Sequence, residues 1–282
     1  MCARWISDPQ YTGKLTPGDF GVMRLIRRLY RFAALVVWCV YLGIISMPIS
    51  RQKDRRKAIR EMAEQTRVWG KGLLRIFGVK LTVHGDLAEY RKHGGLVVSN
   101  HLGYLDIFVH AACFGLRFTP KKDIRSWPLL GWYTDITIPI WVDRDSKAKT
   151  TGMLHEFRET LQNNVPLIVY PEGTSTDGES GLRPFKSAPF EPIVGTDIPI
   201  QPILTSYRVA PGEPTPCWYG DAELIPHLWS ILGCPGIEAE VRILPSVHAE
   251  GRDRKQLASD LHSMMEKVYL EIRAGKTEVQ EP

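Results

Sequence analysis

A histidine and an aspartate are separated by four residues in a segment that follows a short apolar run. His101 and Asp106 come just after residues 95–98, whose sequence Gly-Leu-Val-Val is typical of a buried strand. Near neutral pH a histidine can accept a proton from an alcohol. A carboxylate that accepts a hydrogen bond from the other ring nitrogen fixes the tautomer and stabilises the imidazolium that forms. The pair therefore has the residue types of a general base and of the group that orients it.

The spacing of this pair imposes a structural condition. Five residues of an ideal helix turn through about 500°, so a continuous helix would hold the two side chains on different faces. We therefore expect a loop at His101 that becomes helical near Asp106. Without that break, Asp106 would be a capping residue beside an incidental histidine.

A second polar turn follows another strand-like run, residues 166–170. Turns at strand ends of an α/β sheet are where ligands bind. Glu172 is followed by Gly173, which permits close approach of the backbone, and by Thr174, which offers a hydroxyl and an amide. The alternative is an ordinary strand-to-turn connection with a capping side chain.

A third strand-like run, residues 140–142, leads into Arg144. The planar guanidinium of an arginine can hold a phosphate through two hydrogen bonds. It can equally pair with a neighbouring acid on the surface, here Asp143 or Asp145. Further basic side chains in predicted loops are Lys121, Lys122, Arg183 and Lys186.

Together these short motifs resemble those of the 1-acylglycerol-3-phosphate acyltransferase family, in the same order, over about residues 79–210. The matching segments are Asn100–Asp106 (N-H-x-x-x-x-D), Lys121–Ile124 with Pro128 and Gly131, Val142–Arg144, Pro171–Thr174 (P-E-G-T), Phe185–Lys186 and Ile198–Ile200. Ser175 stands where many members have an arginine after E-G-T, and Ser187 and Ala188 replace the usual glycine region after F-K.

The resemblance implies transfer of a fatty acyl group from an acyl thioester to the free hydroxyl of 1-acyl-glycerol-3-phosphate, giving phosphatidic acid. His101 would be the base and Asp106 its orienter. The resemblance also implies a set of acceptor-binding residues: Glu172, Gly173, Thr174, Arg144, Lys121 and Lys186. The donor would be acyl-CoA or acyl carrier protein, so we expect no cofactor, and no cluster has metal-ligand spacing.

Two alternatives remain at this point. Ser175 in place of a basic residue leaves room for another acceptor, either lyso-ornithine lipid, which carries no phosphate, or a different lysolipid. A non-enzymatic alternative is a lipid-binding protein of the membrane surface. We do not expect a nucleic-acid partner, because the basic runs bracket an apolar stretch instead of aromatic-interleaved strand positions.

The elements that must position these residues indicate an α/β fold: a mixed, mostly parallel sheet flanked by helices, with an N-terminal membrane-embedded helical hairpin. The strand-like runs are residues 79–84, 95–99, 116–119, 136–142, 166–170, 198–206 and 239–244. The helical patterns are residues 104–114, 147–163 and 254–274. We predict a membrane-associated segment over residues 1–78, the acyltransferase domain over 79–275 and a disordered tail over 276–282.

Residues 32–49 carry no charge, and basic residues flank both ends. Eighteen helical residues span about 27 Å, slightly less than the roughly 30 Å hydrocarbon core. Since positive charge marks the cytoplasmic side, two basic flanks favour a dip into one leaflet over a single span. Pro48 would end the helix, and an amphipathic helix could return through residues 51–77. A buried core helix is the third possibility.

The composition is compatible with a protein at the cytoplasmic face of a membrane, the inner membrane if the source is bacterial, either monotopic or single-span. The net charge is +5, with 36 basic and 31 acidic residues, which is too small an excess to name a partner. The 5 cysteines are odd in number and lack metal-knuckle spacing, which favours a reduced, cytosol-facing environment.

Overall fold

The structure, a computed structural model, describes residues 19–87, 94–127, 130–142 and 147–274. Arg144, Pro128 and the tail 276–282, all named above, lie outside these residues.

The described residues form one five-stranded sheet in the order β1-β5-β4-β2-β3. The strands are β1 (Val79–His84), β2 (Leu96–Ser99), β3 (Leu167–Val169), β4 (Ile200–Arg208) and β5 (Ile237–Ile243). Only the β4–β5 pairing is antiparallel, so the mixed, mostly parallel sheet expected from the sequence is confirmed. Because β2, β3 and β4 run the same way, the segments that follow β2 and β3 meet at one edge of the sheet.

Seven α-helices and two short 3-10 helices flank the sheet in the described ranges. The α-helices are α1 (Asp19–Ser50), α2 (Arg55–Phe77), α3 (Tyr104–Phe114), α4 (Leu130–Ile136), α5 (Lys147–Gln162), α6 (Leu224–Leu232) and α7 (Arg254–Arg273). The 3-10 helices are Lys122–Ser126 and Ala188–Ile193. The expected helices at 104–114, 147–163 and 254–274 are therefore confirmed to within one residue.

Each face of the sheet packs against its own helical layer. Within β2, Val97 belongs to the core shared with α2, α3 and α6, whereas Leu96 and Val98 belong to the core shared with α5 and α7. Alternate side chains of a strand point to opposite faces, so this four-residue strand, buried throughout, contributes to both cores. The continuous apolar run at residues 95–98 is explained by burial on both sides.

The strands expected at 116–119 and 136–142 are wrong. Only single bridges form there, Arg117 with Leu167 and Lys121 with Val142. Helix α4 occupies Leu130–Ile136, and Ile138 adopts a φ of 52°, which a strand cannot accommodate. Arg117 is 3% exposed and donates to the Ile138 carbonyl, so a buried cation fixes an irregular path that apolar patterning does not reveal.

Helices α1 and α2 form the hairpin expected from the sequence. Pro48 lies in the last turn of α1, which ends two residues later at Ser50, and the Asp54 carboxylate caps α2 by accepting from the Lys57 amide. The ring of Trp38 fills the space over Gly72, where an added Cβ would lie 2.2 Å from it. This close approach holds the two helices together.

Three arginines of the basic cluster before the apolar segment have partners within the protein. Arg24 pairs with Glu213 at 2.6 Å, Arg27 donates to the Gly233 carbonyl at 2.8 Å, and Arg31 donates to the Cys234 carbonyl at 2.6 Å. Arg27 and Arg31 thus bind carbonyls at the end of α6. The last carbonyls of a helix lack intrahelical partners, and cations are favoured there. That both basic flanks of the apolar run lie at the lipid head groups stays a prediction, and the first flank is in addition held by protein partners.

Candidate active site

The structure brings His101 and Asp106 together through the break that their spacing requires. Helix α3 begins at Tyr104, so His101 lies in a loop, called the His101 loop (residues 100–103), and Asp106 lies in the first helical turn. The distance from His101 Nδ1 to Asp106 Oδ2 is 2.8 Å. The His101 side chain is 21% exposed while that of Asp106 is fully buried. With Nδ1 on the carboxylate, Nε2 is the ring nitrogen left to accept a proton.

The Asp106 carboxylate is held by further donors. The amides of Leu102 and Gly103 donate to Oδ2 at 2.6 and 3.0 Å, and the Tyr207 hydroxyl donates to Oδ1 at 2.7 Å. Burial raises the pKa of Asp106, but the hydrogen bond and charge of His101 outweigh it, so the pKa lies below its usual value. Asp106 is therefore ionised and able to stabilise an imidazolium.

Gly103 permits the loop to pass close to a second segment. An added Cβ would lie 2.8 Å from the backbone nitrogen of Trp218. The same Trp218 amide donates to the Leu102 carbonyl at 2.7 Å. Close backbone contacts with the Trp218 segment thus fix the path of the His101 loop.

Glu172 follows β3 and joins the His101 loop to the segment that contains Arg183. Its carboxylate accepts from the backbone amides of His101 at 2.8 Å and Arg183 at 2.9 Å. Burial raises the pKa of Glu172, and the two amide donors, which favour the ionised form, only partly offset this. Glu172 is only 3% exposed. Its carboxylate therefore holds the surrounding backbone in place.

Gly173 and Lys186 meet beside these loops. Gly173 has a φ of +73°, and a Cβ there would lie 2.4 Å from Lys186 Nζ. The Lys186 amide donates to the Pro171 carbonyl at 2.8 Å, which fixes this segment against the turn. The exposed Thr174 follows directly. Of the acceptor-binding residues implied by the resemblance, Glu172, Gly173, Thr174 and Lys186 thus lie at one turn, which Glu172 joins to the His101 amide.

The remaining two acceptor-binding residues are Lys121 and Arg144. Lys121 is 58% exposed and forms an ion pair with Asp123 in the neighbouring 3-10 helix, and its backbone pairs with Val142. Arg144 lies outside the described residues.

A buried polar network below His101 was missed from the sequence. The Tyr170 ring stacks on His101 with centroids 4.2 Å apart, and its hydroxyl contacts His110 Nδ1 at 2.9 Å. His110 Nε2 contacts the Thr205 hydroxyl at 2.7 Å. Burial lowers the pKa of His110 to about 4, so this imidazole is neutral near pH 7. The network therefore gives His101 an uncharged, hydrogen-bonded support.

A weak signal for this network exists in the sequence. Thr205 and Tyr207 are two residues apart in β4 and therefore point to the same face of the sheet. Asn100 reaches the same strand, since its side chain donates to the Thr205 carbonyl and accepts from the Thr205 amide at 3.0 and 2.8 Å. Connecting β4 to the His101 loop requires the strand order, which no motif provides.

The arrangement has the parts of a base-assisted attack by an alcohol. A partly exposed histidine contacts a buried, ionised aspartate, and a lysine stands beside the adjacent turn. Among the described residues no group of three histidine, cysteine or acidic side chains is placed to hold a metal ion.

Comparisons with known proteins find similarity to acyltransferases. An acyltransferase family model matches residues 80–206, which include the His101 loop, Glu172 and most of β4. A lyso-ornithine lipid O-acyltransferase from Brucella abortus is 30% identical over 220 residues, 72% of this chain and 80% of the relative. One from Rhodobacter capsulatus is 37% identical over 165 residues, 56% of this chain and 57% of the relative. A 1-acyl-sn-glycerol-3-phosphate acyltransferase from Neisseria gonorrhoeae is 28% identical over 252 residues, 88% of this chain and 92% of the relative.

The crystal structure of the 1-acyl-sn-glycerophosphate (LPA) acyltransferase from Thermotoga maritima has the same fold. Its TM-score is 0.66 at 23% sequence identity, and the match covers 90% of this chain and 98% of that one. The likeness extends over the flanking helices as well as the sheet.

Proposed function

The chain belongs to the acyltransferase family, and on that premise we propose that it moves a fatty acyl group from an acyl thioester to 1-acyl-glycerol-3-phosphate, giving phosphatidic acid. The observation that carries the proposal is the 2.8 Å contact between His101 Nδ1 and the buried Asp106 carboxylate. The names of the relatives give two acceptors, lyso-ornithine lipid and 1-acyl-sn-glycerol-3-phosphate, and both are lysolipids.

In the proposed reaction His101 is the general base. The acceptor hydroxyl attacks the thioester carbonyl while its proton passes to Nε2, and Asp106 stabilises the imidazolium that results. The new carbon–oxygen bond forms, the carbon–sulfur bond breaks, and the proton held by His101 passes to the leaving thiolate. General-base assistance of this kind is worth about 10²–10⁴ in rate. Because the thioester is already activated, no acyl-enzyme and no cofactor are required.

A phosphate head group would find a cation at Lys186. Its ammonium lies over Gly173, and the side chain is exposed while the neighbouring Glu172 carboxylate is buried. An anion at this turn would therefore face Lys186 and the exposed Thr174. Glu172 acts on the acceptor indirectly, by holding the His101 loop and the Arg183 segment. Lys121 and Arg144 remain proposed contacts of the head group.

The acyl donor in this proposal is acyl-CoA or acyl carrier protein. Both present the same thioester to His101, and they differ only in the carrier beyond the sulfur. Thiol release with each donor in turn, at equal acyl-chain length, distinguishes them.

The protein associates with membrane through α1, and we propose that it lies in one leaflet at the cytoplasmic face. Among the described residues, α1 is the one helix long and apolar enough to cross a bilayer, with 22% of its apolar window buried. Yet the rest of the protein packs against α1 from the Arg24–Glu213 pair to the Trp132 ring over Gly43. This packing on one side of the helix supports a position along the interface over one surrounded by hydrocarbon on all sides.

Lyso-ornithine lipid is the second candidate acceptor, and Ser175 favours it. The Ser175 hydroxyl donates to the Trp218 carbonyl at 2.5 Å, so a neutral side chain, tied to the protein, stands where many family members place an arginine. An acceptor without a phosphate has less need of that charge.

A panel of lysolipids tests the acceptor directly. Purified protein is supplied with one acyl thioester and either 1-acyl-glycerol-3-phosphate, lyso-ornithine lipid, lysophosphatidylethanolamine or no acceptor, and thiol release is followed. We expect the highest kcat/KM with 1-acyl-glycerol-3-phosphate. If kcat/KM were at least tenfold higher with lyso-ornithine lipid, that lipid would be the acceptor instead of 1-acyl-glycerol-3-phosphate. Release that does not depend on any lysolipid would reject the proposal.

A further inference from the structure

Helix α6 presents an apolar surface that the mechanism does not use. The segment Leu224–Leu232 contains no charged residue, and its last two residues are buried in the core. Its first turn is open, since Ile225 is 70% exposed. Tyr219, in the preceding loop, is 38% exposed. An isolated exposed apolar side chain is ordinary, so the neighbours of α6 decide its meaning.

The apolar surface of α6 continues that of α1. The Trp229 ring packs against Phe32 with centroids 6.5 Å apart, and the Arg28 guanidinium lies 5.7 Å from the centre of the same ring. Ile225 precedes Trp229 by four residues and therefore shares its side of the helix. Phe32 is itself 48% exposed and belongs to the uncharged outer face of α1. Other exposed members of that face are Val22, Ile26, Leu29, Tyr30, Val37, Tyr41 and Ile44.

Helix α6 is also tied to the residues that position the active site. The Tyr104 hydroxyl, at the start of α3, contacts His227 Nδ1 at 3.0 Å, and His227 Nε2 contacts the Thr215 carbonyl at 3.0 Å. The Trp218 amide donates to the Leu102 carbonyl at 2.7 Å. Whatever α6 binds is thus linked by two short connections to the His101 loop.

The charges around α6 select the kind of partner. Asp221 and Glu223, immediately before the helix, are exposed acids, so anionic head groups are not attracted to this end. Arg24, Arg27 and Arg31 are engaged by Glu213 and by carbonyls at the end of α6. The surface that remains is apolar and continuous with the membrane-associated helix. Its chemistry matches the hydrocarbon of a bilayer better than a charged surface.

We propose that the first turn of α6, with Ile225 and Tyr219, is a second lipid-contacting element that inserts beside α1 and holds the His101 loop at the bilayer surface. A lysolipid could then reach His101 without leaving the membrane. The proposal goes beyond the reaction itself and holds whichever lysolipid is the acceptor.

Site-directed quenching of a fluorophore tests this insertion. Ile225→Cys in a Cys2→Ser background is labelled with nitrobenzoxadiazole, and Leu270→Cys on α7 serves as the matched control because Leu270 is 51% exposed. The remaining cysteines are buried: Cys39, Cys113, Cys217 and Cys234. Both proteins are reconstituted into phosphatidylcholine vesicles. Quenchers are doxyl groups on the lipid acyl chain or iodide in the water.

We expect the label at position 225 to be quenched by the acyl-chain doxyl and protected from iodide, with the reverse at position 270. Quenching by iodide at both positions would overturn the proposal. Protection that appears on concentrating the protein without added lipid would assign the surface to a second copy and overturn it as well. This readout needs no turnover, so it is independent of the proposed reaction.

The substitution Ile225→Glu gives a second, functional readout. Turnover of an acceptor embedded in phosphatidylcholine vesicles should fall about tenfold, as expected when a charged group replaces an isoleucine that inserts in the bilayer. Turnover of a short-chain, water-soluble acceptor should stay unchanged, because Ile225 lies outside the acceptor-binding loops. Leu270→Glu should alter neither rate. An equal loss on both acceptors would indicate damage to the site and contradict an effect on membrane contact.

Discussion

Asp106 serves as a helix-capping residue and as the orienter of His101 at once. Its Oδ2 accepts from the Leu102 and Gly103 amides at the start of α3 and also contacts His101 Nδ1. The sequence left these two interpretations as alternatives, but the geometry makes them parts of one arrangement. The amides hold the carboxylate still, so the imidazole meets a fixed acceptor instead of a mobile one.

Tyr207 should act as a positioning residue for this pair. Tyr207→Phe removes the hydroxyl that donates to Asp106 Oδ1 at 2.7 Å, and hydrogen bonds to charged groups are worth about 1.5–3 kcal/mol. We expect kcat to fall about tenfold with little change in KM, because the base is disturbed while the acceptor contacts remain. Steady-state kinetics measure the split.

Tyr269→Phe is the matched control for Tyr207→Phe. Tyr269 is also a buried tyrosine, but its hydroxyl donates to the Gly178 carbonyl and not to Asp106. Its kcat should remain near that of the wild type. Equal losses of kcat in the two variants would show that Tyr207 has only a general structural role.

His110 should make stability fall as the pH is lowered from about 6.5 to 4. The unfolded chain takes up a proton on this histidine near pH 6.5, whereas burial lowers its pKa to about 4 in the folded state. More protons on the unfolded chain in this window destabilise the fold, by up to about 3 kcal/mol. Glu172, whose pKa is raised by burial, contributes with the opposite sign as the pH falls.

His110→Gln isolates this contribution. The amide can still bond Tyr170 and Thr205 but does not titrate. Denaturant unfolding in detergent at several pH values should therefore give a flatter pH dependence for the variant between pH 6.5 and 4. Identical slopes for the two proteins would contradict a neutral, buried His110.

At the scale of elements, the break between β2 and α3 is what the site depends on. The chain leaves a buried strand, crosses the His101 loop and enters a helix within a few residues. The sequence predicts this break, because a continuous helix cannot bring His101 to Asp106. The same periodicity reasoning predicts β1, β2, β3 and α3 closely, since their apolar patterns have no competing interpretation.

Reasoning from the sequence fails where a buried polar side chain decides the path of the backbone. Residues 116–119 and 136–142 are apolar enough to suggest strands, but Arg117 and the left-handed Ile138 make them irregular. The protein partners of the α1 arginines were not predicted from the sequence, for a related reason. Their partners are carbonyls at the end of α6, about 200 residues away in the chain, and no local pattern reports such a contact.

Gly103→Ala should lower activity more than stability. The added Cβ would lie 2.8 Å from the Trp218 backbone nitrogen, so the His101 loop must shift away from its partner segment. A shift of this kind displaces His101 relative to the acceptor, and we expect kcat to fall about a hundredfold. Enzyme assay together with thermal unfolding separates the two effects.

Gly152→Ala provides the comparison for Gly103→Ala. Gly152 lies inside α5, and an added Cβ meets nothing within 4 Å. Alanine is a better helix former than glycine, so this variant should match or slightly exceed the wild-type stability at full activity. Wild-type activity in Gly103→Ala would show that the loop tolerates displacement and that its close packing is not needed.

At the scale of the whole molecule, the proposed one-leaflet arrangement rests on the outer face of α1. Its uncharged side chains point outward while its arginines and Ser46, which is fully buried, point inward. The helix is thus amphipathic in an unusual sense, with its polar residues facing the protein. This arrangement fits a helix that lies on one leaflet, with the α/β domain on the water side.

A tag fused before Met1 reports this orientation. In sealed vesicles with the cytoplasmic side outward, protease should remove the tag, because both ends of α1 stay on the same side as the domain. Disrupting the vesicles with detergent should add nothing to the cleavage. Protection of the tag until detergent is added would establish a single span and reject the one-leaflet arrangement.

The central claim, that His101 is the base of a lysolipid acyl transfer, is tested most directly by the turnover of His101→Ala. Thiol release from an acyl thioester in the presence of the preferred lysolipid should fall by about 10²–10⁴, with thermal unfolding unchanged. His155→Ala, which removes an exposed histidine of α5, should keep full turnover. Turnover of His101→Ala within a few-fold of the wild type would contradict the account.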